Sequence, residues 1–282
     1  MTRPHGMVWN VGMFWLVYLI AFGWALVSEI PMAIVEIQDT ASLHTQTLIG
    51  LFGEGVAVLV MILLYRKRPW LTGLRITRHA LSQYAVGIAT GTGLFALIWA
   101  VVWFGGDLAV SVVFAPTQWL LIGLYILAFA VQSLLEELLC RGYIMGFWLK
   151  QHRVGVAVLG NSAFFMFLHL GNPGFDWRAG IGIFLFGLLM SLFRLLSGGI
   201  WLSAGMHMAW NYAEGIIFGT SVSGMSDISL ILHSTPLGNT WLDGGTFGIE
   251  RGLPTTLVLL AAIAVVGWLI KLRNRADFAT LE

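Results

Sequence analysis

Charge is what this chain has least of. Lys, Arg, Asp and Glu make up 10% of its 282 residues, against about 25% in a soluble domain. Cysteine is nearly absent as well, and the single Cys140 excludes an internal disulfide or a cysteine-based zinc cluster. There is no phosphate-binding loop and no dinucleotide glycine fingerprint. A net charge of +1 supplies no basic surface for nucleic acid. The apolar runs do not alternate with polar residues, so no outer-membrane barrel is expected. No internal repeat is visible, which speaks against a transporter built from inverted halves.

What remains is apolar: 58% of residues are hydrophobic and the mean hydropathy is +0.83. The expectation is an all-α, polytopic membrane helix bundle forming one domain over residues 1–282. A spanning helix needs about 20 mainly apolar residues. Eight segments qualify: Val8–Val27, Thr47–Tyr65, Tyr84–Phe104, Trp119–Leu149, Val154–Leu170, Ala179–Leu196, Gly199–Gly219 and Leu253–Leu272. The first lacks the cleavage site and charged start of a signal peptide and is read as a retained helix. With the N-terminus inside, twelve Lys and Arg fall on the cytoplasmic side, only Arg178 and Arg251 fall outside, and Arg141 lies in the membrane. Both termini are therefore expected in the cytoplasm of a multi-pass cell-membrane protein.

Charge inside an apolar run is expensive, about 2.5–3.5 kcal/mol at mid-bilayer, and such residues are functional candidates by default. Three clusters stand out. Glu136, Glu137 and Arg141 interrupt the run Trp119–Leu149, Phe165 and His169 lie on the next segment, and His207 and Asn211 on the one beginning at Gly199. At 1.5 Å per residue, Glu136 lies about 21 Å from the inner boundary, His169 about 22 Å, His207 about 12 Å and Asn211 about 18 Å. The four can share one layer. Glu137 precedes Arg141 by four residues on the same helix face, the order that favours an ion pair. Glu136, turned by about 100°, is left facing a cavity. The long fourth segment would measure about 46 Å as one helix, more than a bilayer core of about 30 Å, so a tilt or a break at Gly142 or Gly146 is expected.

A poorly solvated carboxylate serves as general base on water, an imidazole orients that water or binds a metal, and an amide with a second imidazole stabilises an oxyanion. That set suits peptide-bond hydrolysis. The other histidines (His5, His44, His79, His152 and His233) are expected at helix ends or in loops. Phe165 is expected to pack. Glu54 is expected at the outer interface and Glu214 near it. The pairs Gly87/Gly91 and Gly215/Gly219 are read as helix-packing contacts. The polar, Gly-rich loop 220–252 is placed over the outer mouth of the cavity.

Glu136-Glu137-x3-Arg141, Phe165-x3-His169 and His207-x3-Asn211, in this order, resemble the CPBP (CAAX protease and bacteriocin-processing, also called ABI) intramembrane endopeptidases, which include the type II CAAX prenyl protease. The resemblance covers about residues 118–219, and the Gly-rich stretch Asp243–Gly252 extends it to a core of about 118–252. It implies an eight-helix intramembrane protease acting on a membrane-associated protein or peptide. Its work would be CAAX-type processing, or bacteriocin maturation and self-immunity. Glu136 and His169 would activate water, and His207 and Asn211 would hold the oxyanion or join a metal. No metal cofactor is favoured: there is no H-E-x-x-H, and Glu136 cannot be ligand and base together. A zinc site, if used, would take Glu136, His169 and His207. The competing expectations are a non-catalytic immunity or scaffold protein on the same fold and, behind it, a transporter. The expected partners are lipid and a protein or peptide substrate, not nucleic acid.

Overall fold

The computed structural model describes residues 7–31, 33–34, 42–225 and 227–279. The chain runs α1 (Met7–Ser28), α2 (Leu43–Tyr65), α3 (Ala80–Phe104), strand β1 (Leu108–Val112) and α4 (Trp119–Glu137). It continues through a π-helical stretch, Leu138–Ile144, into α5 (Met145–Lys150), then α6 (Asn161–Leu168), α7 (Trp177–Ser197), α8 (Trp201–Tyr212), β2 (Leu232–Pro236) and α9 (Leu253–Ala279). The all-α polytopic bundle is as expected. Among the described residues, five helices are long and apolar enough to cross a membrane: Leu43–Tyr65, Ala80–Phe104, Pro116–Lys150, Trp177–Ser197 and Leu253–Asn274. The remaining expected spans are helical, but Gly12–Ser28 and Val156–Leu168 are shorter apolar helices, and α8 is 12 residues long before a further π-helical turn, Ala213–Ile217.

The outer helices carry the apolar residues that meet lipid. Val56, Leu59, Leu63 and Leu64 on α2, and Leu257, Leu260, Val265 and Trp268 on α9, are exposed. α8 is the opposite. Every residue from Leu202 to Asn211 is buried, between α3, α4 and α7. A helix enclosed by other helices has no lipid face, so it can carry Ser203, His207 and Asn211 without meeting hydrocarbon.

Small residues let α3 and α8 approach. A Cβ on Gly87 would strike the Leu202 carbonyl, one on Gly91 the Met206 carbonyl, and one on Gly205 the Tyr84 carbonyl. The Gly87/Gly91 reading therefore holds, with close backbone approach as its cause. The Gly215/Gly219 reading does not. Gly219 has φ +61° and sits against the Leu232 carbonyl, so it terminates the helix in a left-handed turn rather than packing one helix on another.

The fourth segment breaks at neither Gly142 nor Gly146. Helix runs through both, and they are glycines because the backbone of Trp70, Leu71 and Thr72 lies against them. The irregularity is the π-helical stretch at Leu138–Ile144, every residue of which is buried. Such wide turns occur mostly at functional sites. Outside the bundle, β1 and β2 pair antiparallel, Leu108 opposite Pro236. Asp176 caps α7 by accepting from the Arg178 and Ala179 N–H groups, and its Oδ2 takes the Arg251 guanidinium at 2.7 Å. That charge-assisted bond holds the Asp176 carboxyl well below the usual carboxylate range.

Candidate active site

Glu137 and Arg141 form the i,i+4 ion pair, Oε1 to Nη1 at 3.0 Å, with both side chains wholly buried. Arg141 also donates from Nη2 to the Gly187 carbonyl at 3.1 Å and lies over the Phe165 ring, 4.6 Å from its centroid. The guanidinium is thus matched by an anion, a carbonyl and an aromatic face. Phe165 is buried, and its ring also meets the imidazoles of His169, at 4.8 Å between centroids, and His207, at 5.7 Å. It packs as expected, at the junction of three polar residues.

His207 lies between the two glutamates. Its Nδ1 is 3.2 Å from Glu137 Oε1, and its Nε2 is 3.3 Å from Glu136 Oε2. Phe186 flanks the ring edge-on at 5.1 Å. An ionised carboxylate only accepts hydrogen bonds, so Nδ1 carries the hydrogen that reaches Glu137. Nε2 faces Glu136 without a hydrogen bond, and Glu136 Oε2 is left buried and unpartnered.

Glu136 opens onto a cavity of about 590 Å³, whose wall also carries Gln132, Phe165, His169, His207 and Asn211. His169 closes α6 as its C-cap residue, and its Nδ1 lies 2.9 Å from the Phe165 carbonyl. A carbonyl can only accept, so Nδ1 carries the hydrogen and Nε2 keeps its lone pair. Asn211 donates from Nδ2 to Gln132 Oε1 at 3.1 Å. The clusters therefore meet: Glu136, His207, Glu137, Arg141 and Phe165 are linked in one chain of contacts, His169 joins it through Phe165, and Asn211 shares the cavity wall with Glu136.

Gln132 went unread in the sequence because an amide in an apolar run draws less notice than a charge. Its position, four residues before Glu136 on one helix face, was the available signal. Glu54 is not only a boundary residue: it lines this cavity with Glu136. Glu214 is fully buried, beside Glu250. Glu250 reaches the cavity from the Gly-rich loop and accepts from Trp210 Nε1 at 3.0 Å and Ser223 Oγ at 2.5 Å. The loop contributes to the cavity wall through Val222, Ser223 and Met225 as well. Its turn depends on Gly248, at φ +103°, where a Cβ would strike the Ser221 carbonyl.

Among the described residues, no three His, Cys, Asp or Glu side chains gather around one point in a metal-holding arrangement. His169 offers one nitrogen, Nε2, to the cavity, and His207 Nε2 lies 3.3 Å from Glu136 Oε2.

Residues 117–213 match the family model described as Type II CAAX prenyl endopeptidase Rce1-like. No curated protein and no solved structure matches the chain.

Proposed function

We propose, from the place of this chain in the CAAX-protease (CPBP) family of membrane endopeptidases, that it hydrolyses a peptide bond of a membrane-associated protein or peptide with water activated by Glu136. The observation that carries the reading is the position of Glu136. It is a carboxylate at the wall of a cavity inside an apolar bundle, 3.3 Å from an imidazole that a second, neutralised carboxylate holds from behind.

Division of labour follows from the contacts. Glu137 is held by Arg141 and His207 and has no reach to spare, so it positions His207 rather than attacking. Glu136 takes the proton of the incoming water as the oxygen adds to the peptide carbonyl. His169, with Nδ1 fixed on the Phe165 carbonyl, offers Nε2 as acceptor to the same water and sets its direction. His207, held at Nδ1 by Glu137, keeps Nε2 beside Glu136. The Asn211 amide, itself oriented by Gln132, faces the oxyanion. Glu136 then returns its proton to the leaving amine, and the bond breaks. These steps are carried by side chains and water alone.

Processing of CAAX-type substrates and maturation of a secreted peptide both lie within this reading. The sidedness follows from charge: both termini and the basic loop Arg66–Gln83 face the cytoplasm. Purified protein tested on membrane extracts by mapping of new peptide termini, beside Glu136→Gln, decides it. The expected result is termini generated by the native protein and lost by at least about 100-fold in a well-folded Glu136→Gln protein. Full cleavage by Glu136→Gln, or activity that needs stoichiometric zinc and returns only when zinc is restored, refutes it.

A further inference from the structure

The cavity that holds Glu136 is lopsided in charge. Among the described residues its wall carries Glu29, Glu54, Glu136 and Glu250, two histidines, and no Lys or Arg. Arg141, the nearest cation in sequence, is sealed behind Phe165 with no exposed surface. Three of the four glutamates have another part to play. Glu136 faces His207 Nε2 at 3.3 Å and is the proposed base. Glu250 is satisfied by the Trp210 N–H and the Ser223 hydroxyl. Glu29 makes contacts of its own.

Glu54 is different. It lies on the face of α2 that lines the cavity, with Thr47, Gly50 and Leu51 at helical spacing. Its Oε2 is buried and accepts no hydrogen bond. The groups that act on it electrostatically are Glu136 and Glu29, both of its own sign. A carboxylate in such a place costs free energy until something donates to it. A cavity with unmet acceptors and no cation of its own is complementary to a cationic donor.

We propose that Glu54 is a specificity-determining residue that binds a positively charged group of the substrate, the ammonium or guanidinium of a basic side chain or a free N-terminal ammonium. The inference rests on the endopeptidase reading of the same cavity. Because Glu54 and Glu136 line one cavity, the cation lies close to the bond attacked. The preferred substrate is an apolar, membrane-associated segment interrupted by one basic residue.

The test is binding rather than turnover, on the Glu136→Gln protein in detergent, so that no cleavage intervenes and any preference for charge is not owed to Glu136. The probes are capped, fluorescently labelled apolar peptides with lysine, glutamine or glutamate at one central position. A fourth, the glutamine peptide with a free N-terminus, separates a terminal ammonium from a side chain. Charge-assisted hydrogen bonds contribute about 1.5–3 kcal/mol, so the lysine peptide or the free-terminus peptide is expected to bind at least about tenfold more tightly than the capped glutamine peptide. Adding Glu54→Gln should abolish that preference, and adding Glu54→Asp should keep part of it. Equal binding of all four peptides overturns the proposal, and so does a preference that survives Glu54→Gln. If Glu54→Gln does not purify as a single species, the peptide series and Glu54→Asp still decide. A charge preference in a protein that cleaves nothing would sink the endopeptidase reading and leave the recognition standing. Cleavage without a preference would do the reverse.

Discussion

Replacing Arg141 by methionine removes one cation and leaves Glu137 at the centre of the bundle. Breaking a buried pair by deleting one partner costs about 3–5 kcal/mol, mostly the penalty of the orphaned charge. The lower end applies here, because His207 Nδ1 stays 3.2 Å from Glu137 and still donates to it. The bond to the Gly187 carbonyl and the stack on Phe165 are lost as well. A loss of about 3 kcal/mol corresponds to a melting midpoint lower by on the order of 10 °C. The molecule carries its own reporter: Cys140 is its single cysteine and is fully buried. A thiol-reactive fluorogenic dye therefore reads unfolding directly. Arg141→Met with Glu137→Gln should recover more than half of the loss, since the second change removes the stranded charge. Glu136→Gln should melt within about 2 °C of the native protein, because Glu136 faces a cavity rather than a fixed cation. A single Arg141→Met change that leaves the midpoint unmoved would refute this account of the pair, and so would a double variant no better than the single.

Gly91→Leu should destabilise by at least about 1–3 kcal/mol in the same dye assay, because any Cβ there meets the Met206 carbonyl and drives α3 from α8; an unchanged midpoint would contradict the close approach. Asp176 is held ionised by Arg251, so its contribution is complete at neutral pH. It erodes below about pH 4, where the unfolded chain takes up the proton first, and is lost as the pH falls through the folded value. The midpoint gap between the native protein and Asp176→Asn should accordingly narrow in acid, and a gap that stays constant from neutral pH down to about 3 would refute the pairing. Phosphatase and fluorescent-protein fusions after Ala279 should report a cytoplasmic C-terminus; a phosphatase-active, non-fluorescent fusion would overturn the orientation drawn from the charge bias.

Much of this protein was determined by the sequence alone, because the bilayer imposes rules that a sequence obeys locally. Scarcity of charge fixes the class, apolar runs mark the helices, and any charge left inside them marks the candidate site. The partnership of Glu137 with Arg141 follows from four residues of one helix, and the cost of Cβ atoms between close helices was visible in Gly87 and Gly91. Everything that depends on a second element was decided by the tertiary structure. Helical spacing places Glu136, Glu137 and His207 at comparable depths, but only packing α8 against α4 puts one imidazole between both carboxylates. The π-helical stretch after Glu137 leaves no mark in hydrophobic periodicity, and it replaces the break that Gly142 and Gly146 suggested. Glu54 and Glu250 lie on α2 and on an outer turn, far from the motif residues in the chain, and they become wall residues of the cavity only because the helices enclose it. A charge in a sequence states that something must compensate it; which group does so is a matter of distance, and distance belongs to the folded molecule.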